Sequence, residues 1–132
     1  MRWVQLAAFS PIFRFHPPHG AASAFEERRP WMFDAEVLRI VQQSLQLRAS
    51  LLPYLHSLAL RSHNLALPMV TPMYFSYPAQ EHAYHCPQQF MLGPDLLVAP
   101  FANQSDPSVR LSRQLVWFPP GLWYHLFNGT SY

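Results

Sequence analysis

Phe9-Ser10-Pro11-Ile12-Phe13-Arg14-Phe15-His16 is an apolar run that ends in an arginine and a histidine and is stopped by Pro17 and Pro18. Its aromatic residues and isoleucine favour a strand. A parallel strand buried on both faces reads as continuous apolar sequence rather than as alternation. The run therefore predicts a buried strand that delivers polar groups at its C-terminal end. In α/β barrels that end is where the loops build the active site, which makes His16 a candidate ligand contact. From residue type alone, a core histidine satisfied by a backbone carbonyl is the plainer reading.

On the N-terminal side, Trp3, Leu6, Ala7 and Phe9 share a face at helical spacing, so residues 2–9 read as the end of a helix. On the other side, 17–27 is a loop by its prolines, Gly20 and small residues. His19 lies in it as a solvated loop residue, and Glu26 and Glu27 pair with the neighbouring Arg28 and Arg29 more readily than they form a catalytic couple. Trp31 is expected to anchor the point where loop meets helix. Asp34 is a good N-cap, with Glu36 in the first turn to match the helix dipole. The spacing of Val37, Val41, Leu45, Leu52, Leu55 and Ala59 predicts a helix to about His63, its stripe widened by Ile40, Leu47, Leu51 and Leu58. Pro53 within that pattern is expected to kink the helix or split it. Arg48 interrupts the stripe and should find a carboxylate or helix carbonyls.

Beyond Pro68 the composition changes to proline, aromatics and short β-type runs, namely 69–77, 90–100, 115–119 and 122–127. Gly93-Pro94-Asp95, Asp106-Pro107, Pro119-Pro120-Gly121 and Asn128-Gly129 punctuate them as turns. These runs predict an antiparallel β domain whose last strands would leave open edges.

The chain has 132 residues, enough for one domain but well short of the roughly 250 of a complete α/β barrel. Only 12% of the residues are charged, about half the usual share, which suggests much surface meant for burial. The formal charge of +2 rests on nine arginines and no lysine, spread too thinly for a nucleic-acid stripe. One cysteine, Cys86, excludes an internal disulfide framework. No segment has the length of a membrane span, so no membrane partner is expected. Met1-Arg2-Trp3 leads straight into patterned sequence rather than a signal peptide, which leans slightly toward the cytoplasm.

Several strings resemble glycoside hydrolase family 31, the α-glucosidases and α-xylosidases. They are Arg2-Trp3-Val4-Gln5 through Pro11 with Arg14-Phe15-His16, then Arg29-Pro30-Trp31, Leu51-Leu52-Pro53-Tyr54-Leu55 and Pro72-Met73-Tyr74. Gln89-Phe90-Met91-Leu92-Gly93, Leu97-Val98-Ala99-Pro100 and Pro119-Pro120-Gly121-Leu122-Trp123-Tyr124 follow in the same order. The resemblance implies an α/β fold: the last part of a (β/α)8 TIM barrel over residues 1–66, then part of an antiparallel β-sandwich domain over 67–132. It also implies departures, with Ala7 or Ala8 and Ala66 where the family carries glycine. Arg29 and His125 stand where acidic residues are common.

A retaining glycosidase needs two carboxyl groups about 5–5.5 Å apart. In the family both are aspartates on motifs upstream of the Arg-Trp-x-Gln string. The carboxylates here are Glu26, Glu27, Asp34, Glu36, Glu81, Asp95 and Asp106, none of which matches a catalytic motif. What the resemblance transfers is His16, as a histidine that hydrogen-bonds hydroxyls of the sugar beside the scissile bond. Arg14 would stand behind it, paired with a buried carboxylate at the strand end. The substrate implied is an α-glucoside or α-xyloside, with no cofactor. The missing N-terminal part of the barrel, or a partner chain carrying it, is the expected partner. A non-catalytic remnant, or a sugar-binding or assembly module, is the rival reading.

Two smaller constellations remain. His82, His85 and Cys86 resemble half a zinc site without a second half. Trp117, Trp123 and Tyr124 read as core packing in preference to a sugar-stacking platform.

Overall fold

The computed structural model describes residues 2–16, 29–101 and 103–132. Two compact units divide the chain, Met1–Met69 and Val70–Tyr132.

In the first unit, helix α1 (Arg2–Ala7) is followed by an irregular segment, and a three-ten turn at Pro30–Met32 precedes helix α2 (Ala35–Leu65). Asp34 caps α2 as its residue type demands, its carboxylate accepting the Val37 N–H at 2.8 Å. Glu36 stands in the first turn. Val41, Ser44, Leu55 and Leu58 are buried, and the Ser44 hydroxyl donates back to the Ile40 carbonyl at 2.8 Å instead of facing the core unpaired.

Pro53 does not split the helix, which continues through it for 31 residues. The proline removes one donor. The next turn is held from the side by the Ser57 hydroxyl, which donates to the Pro53 carbonyl at 2.9 Å. The helix ends at Ala66, whose φ of 54° and ψ of 29° are left-handed. A β-carbon is unfavourable there, and this is the position where glycine ordinarily closes a helix.

The expected strand at Phe9–His16 is not one: residues 12–16 carry no strand pairing, and Ile12, Arg14, Phe15 and His16 are exposed. The reason is physical. A parallel strand is defined by its neighbours on either side, and among the described residues of the first unit no other strand exists to pair with it. Trp31 likewise does not anchor the helix entry. It is 65% exposed, with the Arg29 guanidinium 5.9 Å from its ring centre. His19, Glu26, Glu27 and Arg28 lie outside the described residues.

In the second unit, β1 (Val70–Pro72), β2 (Phe90–Leu92) and β3 (Leu96–Val98) form an antiparallel sheet in the order β1-β2-β3. Thr71 faces Met91, and Met91 faces Leu97. Gly93, at φ 64°, opens the β2–β3 turn with Pro94 and Asp95. The expected 69–77 run is strand only to Pro72, after which Met73–Ser76 forms the short helix α3. A four-residue turn, Glu81–Tyr84, completes the cover.

Met73, Ala83 and Met91 are the buried centre, with Tyr77, Cys86, Leu97, Trp117 and Trp123 packed around it. Residues 115–119 and 122–127 are not full strands; Tyr124 and Ser131 form an isolated antiparallel bridge around the Asn128-Gly129 turn. The Trp123 and Tyr132 backbones exchange two hydrogen bonds at 3.1 and 2.8 Å, and Tyr132 stacks on Phe118 at 4.9 Å.

Candidate functional site

The segment leading to His16 is built from its N-terminal helix outward. As α1 ends, its last carbonyls lack helical partners, and the chain satisfies some of them locally. The Phe9 N–H donates to Leu6 O at 3.0 Å, and the Ser10 N–H to Ala7 O at 3.1 Å. The Ser10 hydroxyl reaches Leu6 O at 3.3 Å. Ala8 is fully buried at this junction, where there is no room for a larger side chain without repacking.

Arg48, from the middle of α2, supplies the rest. Its Nη1 donates to the carbonyls of Ala7 at 3.3 Å and Ala8 at 3.2 Å, and also to Ser10 O. Its Nη2 donates to Pro11 O at 2.9 Å. The guanidinium carbon lies 5.8 Å from the centre of the Phe13 ring, and Phe13 meets Phe15 edge-on at 5.5 Å. The arginine that interrupts the α2 stripe therefore finds backbone carbonyls at the end of α1, one of its two expected kinds of partner. A planar fork with five donors suits this cluster of acceptors better than an ammonium would.

Arg14 and His16 follow on that held segment, both exposed. An imidazole there can accept with one nitrogen and donate with the other, the property that fixes a hydroxyl group without adding charge. Arg14 makes no ion pair with a carboxylate among the described residues.

Each described carboxylate sits in a cap or turn. Asp34 caps α2, Glu36 lies in its first turn, and Glu81 starts a three-ten turn with its carboxylate 4.0 Å from His85. Asp95 lies in the β2–β3 turn. Asp106 closes a turn in which it accepts from the Ser108 hydroxyl and, at 2.8 Å, from the Ser108 N–H. Those two bonds hold its carboxyl below the usual range.

His82, His85 and Cys86 diverge. His82 faces Trp117 at 6.4 Å, His85 faces Glu81, and Cys86 turns toward the core, its thiol 3.5 Å from Ala83 O. Burial pushes that thiol above its ordinary value, partly offset by a hydrogen bond from its own backbone N–H. Among the described residues no group of three or more His, Cys, Asp or Glu side chains could hold a metal ion. Trp117 and Trp123 pack on the core, while Tyr124 is exposed.

One buried polar pairing was not anticipated from the sequence. Gln89, 4% exposed, donates from Nε2 to Trp117 O at 2.8 Å and accepts at Oε1 from Trp117 N at 2.9 Å. Its amide thus stands in for a neighbouring strand. The available signal is a glutamine directly before an apolar strand.

Comparison with known proteins matches residues 1–58 to the glycosyl hydrolases family 31 TIM-barrel domain and residues 66–132 to the glycosyl hydrolase family 31 C-terminal domain. Alpha-glucosidase 2 of Bacillus thermoamyloliquefaciens is 33% identical over 97% of this chain, and Alpha-xylosidase 1 of Arabidopsis thaliana is 32% identical over 98%. The chain spans only 15% and 13% of the lengths of those two relatives. Among solved structures, a cycloalternan-forming enzyme from Listeria monocytogenes in complex with a pentasaccharide substrate superposes with a TM-score of 0.89 at 32% identity. The match covers 99% of this chain and 12% of that one.

Proposed function

Because the chain belongs to glycoside hydrolase family 31, we propose that it is a piece of a retaining α-glycosidase that hydrolyses terminal α-linked glucose or xylose. The α/β fold agrees with that membership: part of a TIM barrel, followed by an adjoining domain with an antiparallel sheet. We place the boundary so that 1–66 is barrel and 67–132 is the opening of the β domain. In this reading both catalytic aspartates lie outside the chain, which supplies His16 to the sugar subsite and Arg14 behind it.

The observation that carries the proposal is that two consecutive domain models of one family match the chain in order. The histidine's part follows from chemistry. An imidazole on a segment held by Arg48 can fix a sugar hydroxyl. Hydrogen bonds that tighten as the ring flattens toward an oxocarbenium ion lower the barrier. Arg14 pairs with a carboxylate supplied by the rest of the barrel and keeps the segment's end in place.

A second reading, a non-catalytic sugar-binding or assembly module that needs a partner chain, draws support from the exposed apolar surface. Trp3 is 82% exposed, Ile12 77% and Leu115 92%, side chains that a partner chain would cover. The partner would then be a chain carrying the remainder of the barrel.

The test is thermal unfolding of the purified chain with and without a millimolar glucose-configured iminosugar, repeated with the xylose-configured one and with His16→Ala. An upward shift lost in His16→Ala is the expected result. Unfolding unaffected by either iminosugar would remove the sugar subsite from this chain.

A further inference from the structure

We propose that Arg48 is a positioning residue for His16: by gripping the carbonyls of Ala7, Ala8, Ser10 and Pro11 and lying over Phe13, it fixes where the chain presents its sugar contact. The claim that this contact is to sugar rests on the function proposed above; the claim that Arg48 sets the place of His16 does not.

The first step is the accounting of carbonyls. Four residues in a row of five, 7–11, turn a carbonyl toward one guanidinium. Such an arrangement forces the backbone to curl around the side chain, since carbonyls of a straight helix or strand do not converge on one point. The curl closes off α1 and sets the direction in which residues 12–16 depart. The second step is the ring. Phe13 lies under the same guanidinium, and Phe13 then meets Phe15 edge-on, so the fixed point at Arg48 is transmitted by side-chain contact to the residue before His16.

The third step is what is absent. No strand pairs with residues 12–16 among the described residues, so sheet pairing does not set the segment's direction there and the Arg48 contacts act on it without a sheet. A lysine cannot replace the arginine. One ammonium with three donors, on a longer swing, does not bridge carbonyls that are served by two nitrogens of a rigid fork. Arg48 stands 32 positions from His16 along the chain and acts on it through the backbone, so its effect is on placement and not on the sugar itself.

The test uses the chain with Arg48→Lys and Arg48→Gln. Amide exchange at Phe9 and Ser10 should speed up about tenfold or more, as expected for loss of charge-assisted hydrogen bonds. The His16 ring proton resonance should move toward its value in an unfolded peptide, while amides of α2 keep their protection. Unchanged exchange at 9–10 together with an unmoved His16 resonance overturns the proposal. A readout that needs no substitution guards against a variant that fails to fold: the Nη protons of Arg48 should exchange with water more slowly than those of the exposed Arg39. Equal rates overturn the proposal. Iminosugar binding separates this claim from the one beneath it. Where the unaltered chain binds and His16→Ala does not, Arg48→Lys should weaken binding and add nothing in the double variant. Full binding by Arg48→Lys overturns positioning. A chain that binds no iminosugar sinks the sugar reading, and the His16 resonance still decides the role of Arg48.

Discussion

Replacing Gln89 removes a strand neighbour without touching a strand. The side chain is 4% exposed, and both its amide atoms are bonded to the Trp117 backbone, at 2.8 and 2.9 Å. Gln89→Leu has nearly the same volume, so the cavity contribution is small. The loss is two hydrogen bonds, each worth about 1 kcal/mol net, plus the desolvation of a Trp117 N–H and C=O left without partners, about 1–3 kcal/mol each when water cannot reach them. Trp117 is half-buried, so we take the lower end and expect a loss of about 2–4 kcal/mol. For a small unit that corresponds to a fall in Tm on the order of 10 °C or more.

Gln89→Glu sharpens the test. Its ionised carboxylate can still accept from the Trp117 N–H but meets the Trp117 carbonyl with a second acceptor, so folding raises its pKa. Stability is then present below the unfolded carboxyl value, about 4.3, and is lost as pH rises through the folded value. Urea unfolding followed by tryptophan fluorescence at pH 4 and pH 7 reads both effects, because Trp117 and Trp123 pack on the second unit's core. A Leu variant within about 0.5 kcal/mol of the original chain, a range typical of neutral surface changes, would refute the reasoning. So would a Glu variant no more stable, relative to the original chain, at pH 4 than at pH 7.

Ala66→Gly should stabilise the end of α2 by about 0.5–1 kcal/mol, because φ 54° carries a β-carbon penalty that glycine lacks; the helix signal at 222 nm during heating measures it. Cys86 should react with a disulfide reagent more slowly than a small-molecule thiol at pH 8, since burial raises its pKa, and should reach the free rate only once the chain unfolds. Asp106 should tighten the 106–111 turn only while ionised. Its folded pKa is depressed, so the contribution is present above the unfolded carboxyl value and fades as pH falls through the folded one. Amide exchange at Ser108 and Arg110, acidified stepwise and corrected for intrinsic rates, follows that loss.

The parts of this molecule that local chemistry fixes are legible in its sequence. Asp34 as a cap, the extent of α2 and the Gly93 turn each depend on residues within a few positions of one another; the expected α2 stripe is only partly buried, with Val41, Leu55 and Leu58 inside and Leu45 and Leu52 exposed. The packing of Trp117 and Trp123 was legible because two large aromatics in a proline-rich β region have few alternatives to the core. What resisted reading depends on distant partners. The 9–16 run has strand composition, yet a strand exists only beside other strands, and the described first unit holds none. Arg48 and Gln89 each satisfy backbone groups remote in sequence, Gln89 those of Trp117, 28 positions away. For Arg48 the sequence names the kinds of partner, a carboxylate or helix carbonyls, but not which ones; for Gln89 it marks only a polar residue directly before an apolar strand. Of the two outcomes expected at Pro53, a kink or a split, the split does not occur, since a helix of 31 residues tolerates the loss of one hydrogen bond. His16 is singled out as a sugar contact by resemblance alone, since nothing in its own residue type or spacing marks an exposed histidine as one.

The measurement that reaches the central claim most directly is a chimera. The segment of Alpha-glucosidase 2 from Bacillus thermoamyloliquefaciens that matches this chain is replaced by the chain itself, and hydrolysis of an α-glucoside is assayed beside the His16→Ala form. If the chain is the late part of a retaining α-glycosidase, the chimera hydrolyses the substrate with retention of configuration. His16→Ala then lowers kcat/KM by about ten- to a hundredfold, the worth of hydrogen bonds lost at the transition state. A folded chimera without hydrolysis, or one whose kcat/KM is unmoved by His16→Ala, would contradict it.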